Sequence, residues 1–377
     1  MLETKHQIFI NSIKLAIGGE GELNLPIDSE ALLHVASMHD LSHLVYYGFY
    51  KAGNVELLKD KTKDFKSFHT SAIFRYMKIA KELNDMSSAF ERAGIDFIFL
   101  KGSKIRFYYP EPWMRTSSDI DVLIKPEAEK DACGVFEKLK YKHVGDWRYV
   151  KNYDTPSGVH IELHTEICDD EFVVDEHLKT VWDTAILEEG FSHKYKMDDC
   201  TFLFHHVEHM AKHFRDGGCG VRPFIDLYVL NGRGEGEELF ERLNEVGLTE
   251  FYRAVKALME FWFKDGEKNY PRGMDEYVLR GGLFGTYENA VGVNAKKGKL
   301  RYLLGRIFPP YAEMKDMYPS LKKQKWLLPF CYVARFFKVM AKLIIGKGRD
   351  ELKAVHNTDK KRVEDTRKLF EDLGLRQ

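Results

Sequence analysis

The sequence predicts an α+β protein: a small mixed β-sheet with its own helices, flanked by N-terminal and C-terminal helical regions. Three observations predict it. Before residue 92, apolar side chains recur every three or four positions, as in Ile73, Met77, Ala80, Leu83 and Met86. Between 95 and 200 the period falls to two. From about Asp198 the helical spacing returns. At 377 residues the chain exceeds one small core. Its shifts in pattern divide it into an N-terminal helical region (1–92), a mixed core (93–200), a helical domain closing a cleft (201–300), and a C-terminal helical region with a charged tail (301–377).

In the first region Ser29 reads as the N-cap of an amphipathic run reaching about Tyr50, with Gly53 as its stop. Val55–Ala93 reads as one or two further helices. His34, His39 and His43 recur near helical spacing and are expected at the surface or the rim of the core.

The mixed core opens with an apolar strand, Phe97–Leu100, running into Lys101-Gly102-Ser103 and a short helix around Lys104–Tyr109. Pro110 and Pro112 mark a loop. Over Ser118–Ile124, Ile120, Val122 and Ile124 share one face of a strand, and Asp119, Asp121 and Leu123 the other. Two carboxylates so placed repel unless a proton or a cation sits between them, and a hard divalent cation is the usual solution. Gly102-Ser103 offers backbone N–H groups to a phosphate at a helix start. Pro126 opens a helix with acids in its first turn. Tyr149-Val150 and the turn Thr155-Pro156-Ser157-Gly158 predict a hairpin into Val159–Ile167. There Val159, Ile161, Leu163, Thr165 and Ile167 alternate with His160, Glu162, His164 and Glu166. If this strand neighbours the acidic one, a spacing of about 4.8 Å lets Glu162 join Asp119 and Asp121 at a shared metal pair.

Beyond 200, Phe204–Phe214 carries His205, His209 and His213 on one helical stripe. The order is not H-E-x-x-H, so a polar stripe lining a cleft is expected rather than a zinc site. Asp226, in a helix over Arg222–Asn231, either reaches that cleft or pairs with Arg222 four residues earlier. Helices follow at about 237–246 and 249–264. Gly281-Gly282 and Gly285 are expected to loosen the chain around Phe284, and Leu300–Phe308 to form a basic, apolar helix. Trp326–Ile345 is apolar-rich but holds Pro329, Arg335, Lys338 and Lys342, which argues against a transmembrane segment. It reads as a helix packed on its own domain, with a membrane surface or a partner as alternatives. A charged, mobile tail is expected from Lys347.

Composition bounds the function. The chain is 44% hydrophobic and 31% charged, with a formal net charge of −1, so no global basic field attracts nucleic acid or anionic membrane. Five scattered cysteines (Cys133, Cys168, Cys200, Cys219, Cys331) form no C-x-x-C pair, which argues against a disulfide framework and a thiolate zinc site. With no signal-peptide pattern at Met1, a reducing, cytoplasmic location is expected.

The ordered combination of Gly102-Ser103, Asp119-x-Asp121 and Glu162 resembles the polymerase-beta-like nucleotidyltransferase superfamily. The wording L-K-G-S, then S-D-I-D-V-L-I with Arg115 four residues before the first acid, then I-E-L-H, is similar to a poorly characterised bacterial nucleotidyltransferase family. The histidine-rich helix and the D-L-Y at Asp226–Tyr228 extend the likeness. The interval from Gly102-Ser103 to Asp119 is longer than in many members. The resemblance implies a nucleotidyltransferase core and transfer of NMP from an NTP to a hydroxyl on a small molecule, a protein or an RNA end, with release of pyrophosphate (EC 2.7.7-type). It implies two Mg2+ or Mn2+ ions on Asp119, Asp121 and Glu162, and nucleotide contacts from Lys101, Gly102, Ser103, Arg106 and Arg115. His160, His164, His209 and Asp226 are candidates for the cleft. The alternatives are a nucleotide- or partner-binding module without turnover, and a metal-dependent phosphoester hydrolase.

Overall fold

The computed structural model describes residues 3–23, 26–167, 176–283, 285–286, 289, 293, 305, 307–344 and 360–375. It forms two compact units, one made of Met1–Ala211 with Val221–Tyr270, the other of Lys212–Gly220 with Pro271–Gln377.

The first unit begins with helices α1 (Thr4–Ala16), α2 (Ser29–Met38), α3 (Ser42–Lys51) and α4 (Thr62–Ala93). The cap of α2 is Asp28 rather than Ser29. Asp28 keeps an extended backbone, which lets its carboxylate accept the Ala31 N–H at 3.0 Å, whereas Ser29 is already helical. The run expected to reach Tyr50 unbroken divides at Asp40, whose φ of 51° ends one helix before the next starts. α1 and α3 touch backbone to backbone, because a Cβ on Gly48 would lie 1.9 Å from the Ser12 carbonyl oxygen. α4 ends at Gly94 in the left-handed region (φ 67°), where Ile95 N–H returns to Phe90 O at 3.0 Å. His34 is exposed, but His39 and His43 are buried, contrary to their expected rim position. His39 stacks on Phe9, and His43 Nε2 donates to Met114 O at 2.9 Å.

The period-two segments assemble into one seven-stranded sheet. Its strands are β1 (Phe97–Phe99), β2 (Asp119–Ile124), β3 (Lys142–Trp147), β4 (Val150–Asp154), β5 (His160–His164), β6 (Ile186–Leu187) and β7 (Lys194–Lys196), in the order β3-β4-β5-β2-β1-β7-β6. β2 pairs parallel with β5 and β1 with β7, and the other pairs are antiparallel. The predicted hairpin is the β4–β5 pair. β3 escapes prediction because its side chains are mostly exposed and its register shifts between His143 and Gly145. β6 and β7, of two and three residues, are too short to display a period.

Between β1 and β2 run α5 (Lys101–Ile105), which starts earlier than the predicted Lys104, and a 3-10 turn at Arg106–Tyr108. α6 (Glu129–Lys138) follows β2, and α7 (Glu176–Lys179) and α8 (Val181–Thr184) precede β6. Ile120, Val122 and Ile124 of β2 and Ile161 and Leu163 of β5 share one core with Leu83, Met86 and Phe90 of α4 and Phe136 of α6. Since side chains alternate along a strand, Asp119, Asp121, Glu162 and His164 project from the opposite face. That face is no solvent face, because Asp121 and His164 are buried. α9 (Asp199–Asp216), α10 (Arg222–Leu230), α11 (Glu237–Glu245) and α12 (Thr249–Phe263) follow the sheet in sequence.

In the second unit Gly285 makes a close backbone approach, while the segment around Phe284 that the sequence marks as loosened lies outside the described residues. A Cβ on Gly285, at φ 77°, would lie 2.6 Å from the Gly217 carbonyl carbon. Tyr277 of α13 (Met274–Gly281) donates its hydroxyl to Phe214 O at 2.7 Å, and its own carbonyl accepts from Asn289 Nδ2 at 3.0 Å. Helices at Tyr311–Met317, Leu328–Ile344 and Lys360–Asp372 complete the described part, and Met314, Leu321 and Cys331 form a small core. Cys168, Phe284, most of the Leu300–Phe308 segment, and the tail from Lys347 to Asp359 lie outside the described residues. No described helix is long and apolar enough to cross a membrane.

Candidate functional site

The site starts from a strained turn. Leu100 N–H bonds to Asp121 O at 3.0 Å, carrying the edge of β1 one residue past the strand. Lys101 then adopts φ 44°, a conformation few non-glycine residues hold without support. Here the support is electrostatic: Lys101 Nζ lies 2.8 Å from Asp121 Oδ1. Ser103 N–H is spent inside the turn on Leu100 O at 3.0 Å, so it is not the free phosphate donor expected from sequence. Its hydroxyl is buried and has no hydrogen-bond partner among the described residues.

The parallel register sets Asp119 against His160 and Asp121 against Glu162. His164, two residues on, places Nε2 at 3.2 Å from Asp121 Oδ1 and 3.3 Å from Glu162 Oε2. One ligand atom from each of Asp121, Glu162 and His164 lies within 4.8 Å of the others. Asp119 is outside this trio but senses it. Burial, then the charges of Asp121 and Glu162, push its carboxyl above the usual range. Burial also opposes charge on Asp121, but Lys101 and His164 overcome it and hold that carboxyl well below the usual range. For His164 burial disfavours the imidazolium, and the bonds to Asp121 and Glu162 more than restore it.

These residues fit a divalent cation. Three carboxylates face one lysine and one imidazole, and two carboxylate oxygens and a ring nitrogen already converge. An imidazole beside carboxylates suits Mn2+ or Zn2+ at least as well as Mg2+, which prefers oxygen. The histidines of α9 join no group of three metal-capable side chains among the described residues.

The cationic candidates separate. Arg106 is only 1% exposed; its Nε donates to Gly102 O at 2.9 Å and its Nη2 to Ser117 Oγ at 2.7 Å. Ser117 in turn donates to Asp119 O at 3.1 Å, so Arg106 is a strut from the turn to the start of β2 and not the phosphate contact expected. Burial, then Arg115, push its pKa down to about 10, which still leaves it charged. Arg115 Nε donates to both Asp226 oxygens, at 2.8 and 3.1 Å, and Tyr109 donates to Asp226 Oδ1 at 2.6 Å. Asp226 therefore pairs with Arg115 and not with Arg222, whose Nη2 goes to Asp40 at 2.7 Å. Burial works against the Arg115 charge, but Asp226 outweighs it and holds the guanidinium pKa above its ordinary value. A Cβ on Gly102 would meet Arg115 Nη1 at 3.5 Å, so this guanidinium borders the bare face of the glycine.

His160 turns toward β4, with Nδ1 at 2.8 Å from Asp154 and Nε2 at 3.1 Å from Asn152. On α9, His205 lies one turn before His209, their ring centroids 6.3 Å apart, and His205 senses the charges of Lys101 and Asp121. Burial and the Lys101 charge push the His205 pKa down to about 3, so it stays neutral. Its signal in the sequence was the same stripe that drew attention to His209. The Lys101–Asp121 pair carried no such signal.

A family described as uncharacterised nucleotidyltransferase matches residues 26–264, more than half of the chain. The chain belongs to this nucleotidyltransferase family. The match runs from just before α2 to the end of α12 and so contains every residue of the site. No curated protein matches the chain. The solution structure of the antibiotic-resistance factor ANT(2'')-Ia is similar over 51% of this chain and 99% of its own, at 9% identity and a TM-score of 0.34, a likeness too distant to argue from.

Proposed function

We propose that this family member transfers NMP from an NTP to a hydroxyl-bearing acceptor and releases pyrophosphate. The observation that carries the reading is the convergence of Asp121, Glu162 and His164 beside the Lys101-Gly102-Ser103 turn, inside the segment that matches the family. Asp121, Glu162 and His164 would hold one divalent ion, and Asp119, on the same strand face, would contribute to a second. Bound there, such ions would neutralise phosphate charge and lower the pKa of an attacking hydroxyl.

The chain's own residues prepare the rest. Lys101 keeps Asp121 ionised and therefore ready to bind a cation. Gly102 leaves backbone uncovered next to Arg115, which favours close approach of an anionic group. Asp226 and Tyr109 fix the Arg115 guanidinium so that little conformational freedom is lost when a phosphate arrives. The buried Ser103 hydroxyl, with its hydrogen bonding unspent, suits a phosphate oxygen.

The test is incubation with each α-labelled NTP, Mg2+ or Mn2+, and sets of hydroxyl acceptors, following pyrophosphate. Asp121→Asn and Glu162→Gln should each lose at least about a hundredfold in rate, the scale of removing a main source of transition-state charge stabilisation. Wild type and Asp121→Asn behaving alike, with neither binding any NTP, would refute the proposal. Release of phosphate or NMP to water with every acceptor would move the assignment to a hydrolase.

A further inference from the structure

The helix Leu328–Ile344 turns one side toward a small core and presents the other. Leu328 and Cys331 pack toward Met314 and Leu321. Phe330, Val333, Phe337 and Met340, spaced by three and four residues, form a second stripe, and Trp326 stands just before the helix. Trp326 is 68% exposed and Phe330 and Phe337 are each 65% exposed. Isolated exposed rings are ordinary, but a continuous apolar stripe with exposed aromatic rings marks an interaction surface.

The charge around it identifies the partner. Lys322, Lys323 and Lys325 lead into Trp326 and Lys338 follows Phe337, all four exposed, and from Leu321 to Ile344 there is not one Asp or Glu, in a chain whose total is 57 basic against 58 acidic. A second copy docking by a two-fold axis would bring these like charges together. The stripe stands on a single helix flank, and an exposed tryptophan sits at its start. Amphipathic helices that lie in the headgroup layer have this composition, with aromatic side chains inserted and cations over anionic lipid. With 17 residues, about 26 Å of helix, it falls short of a bilayer core, and its cations also forbid spanning. We infer that the Trp326–Met340 stripe docks the protein on an anionic lipid surface. This inference is independent of the nucleotidyl-transfer reading.

The test is co-sedimentation of the full chain with vesicles of phosphatidylcholine, pure or with about 30% phosphatidylglycerol, at low and high salt. Partitioning onto the anionic vesicles alone, lost at high salt and with a blue shift of tryptophan emission that is absent in Trp326→Phe, is expected. Phe330→Glu/Phe337→Glu should weaken partitioning by at least about tenfold. Lys322→Gln/Lys323→Gln/Lys338→Gln should weaken it by about a hundredfold, a factor of roughly five per cation. Circular dichroism and gel-filtration elution should stay unchanged in both variants. Equal partitioning onto neutral vesicles, or no loss in the variants, overturns the inference. So does a vesicle-free dimer that Phe330→Glu/Phe337→Glu dissociates, which assigns the stripe to a second copy. Retention on immobilised polyglutamate without vesicle binding assigns it to an acidic protein and also overturns the inference.

Discussion

Replacing Gly102 with alanine should separate what the fold needs from what the substrate needs. Gly102 lies inside α5 with helical backbone, so the protein gains by the exchange: alanine in place of a helical glycine contributes about 0.4–1 kcal/mol. The added Cβ would sit 3.5 Å from Arg115 Nη1 and from Ser117 Cβ, an ordinary contact with no clash to offset the gain. Among the described residues no contact requires a glycine here, whereas the proposed phosphate against the backbone would. The methyl group would stand between that phosphate and the backbone, and a loss of about 1.4–2.8 kcal/mol in NTP binding corresponds to ten- to hundredfold weaker affinity. Urea unfolding followed by tryptophan fluorescence reads the first effect, and calorimetric titration with NTP and Mn2+ the second. G102A should be slightly more stable and a poor binder. Undiminished NTP binding would refute the phosphate seat, and an earlier unfolding midpoint would refute the packing assigned to Arg115.

Native His43 stays neutral down to about pH 4, because burial outweighs its Met114 bond and the Asp40 charge, while an unfolded histidine protonates near 6.5. The unfolded chain thus binds more protons between those values. Stability is complete above pH 6.5 and is lost as pH falls toward 4, by roughly 3 kcal/mol in all. Urea titrations should show that extra loss in wild type and not in His43→Gln, whose amide can still donate to Met114 O. Asp226→Ala strands the buried Arg115 charge and should cost about 3–5 kcal/mol. Adding Arg115→Met should recover much of it, and a double-mutant cycle with no coupling would contradict the pair. Removing divalent ions with EDTA should abolish pyrophosphate release, and Mn2+ should restore it, consistent with an imidazole in the donor set.

What could be read in advance followed from period. The alternation along β2 and β5 put Asp121 and Glu162 on the face away from Ile120 and Ile161, and the sheet keeps that division. What escaped depended on single torsions or distant partners. Lys101 meets Asp121 only because its backbone takes φ 44°, which no spacing encodes. Asp226 had a local partner in Arg222, yet it bonds Arg115, 111 residues away, while Arg222 satisfies Asp40. The buried His39 and His43 read as rim residues because a histidine's polarity is visible in sequence and its ring-stacking neighbour is not.

The parallel pairing of β2 with β5 has a further consequence for how the chain avoids misfolding. Asp121 and His164 are 43 positions apart and meet only in one alignment of these strands. A slip of β5 that flips its faces would turn Glu162 and His164 into the layer occupied by Leu83, Phe90 and Phe136, where an ionised side chain costs several kcal/mol. A slip that preserves the faces would set Asp121 beside a different residue of β5 and leave its charge without the imidazole it now has. The polar groups of the site thus act as a proofreading device for the sheet, so variants that neutralise them should tolerate wrong registers that the wild-type chain rejects while folding.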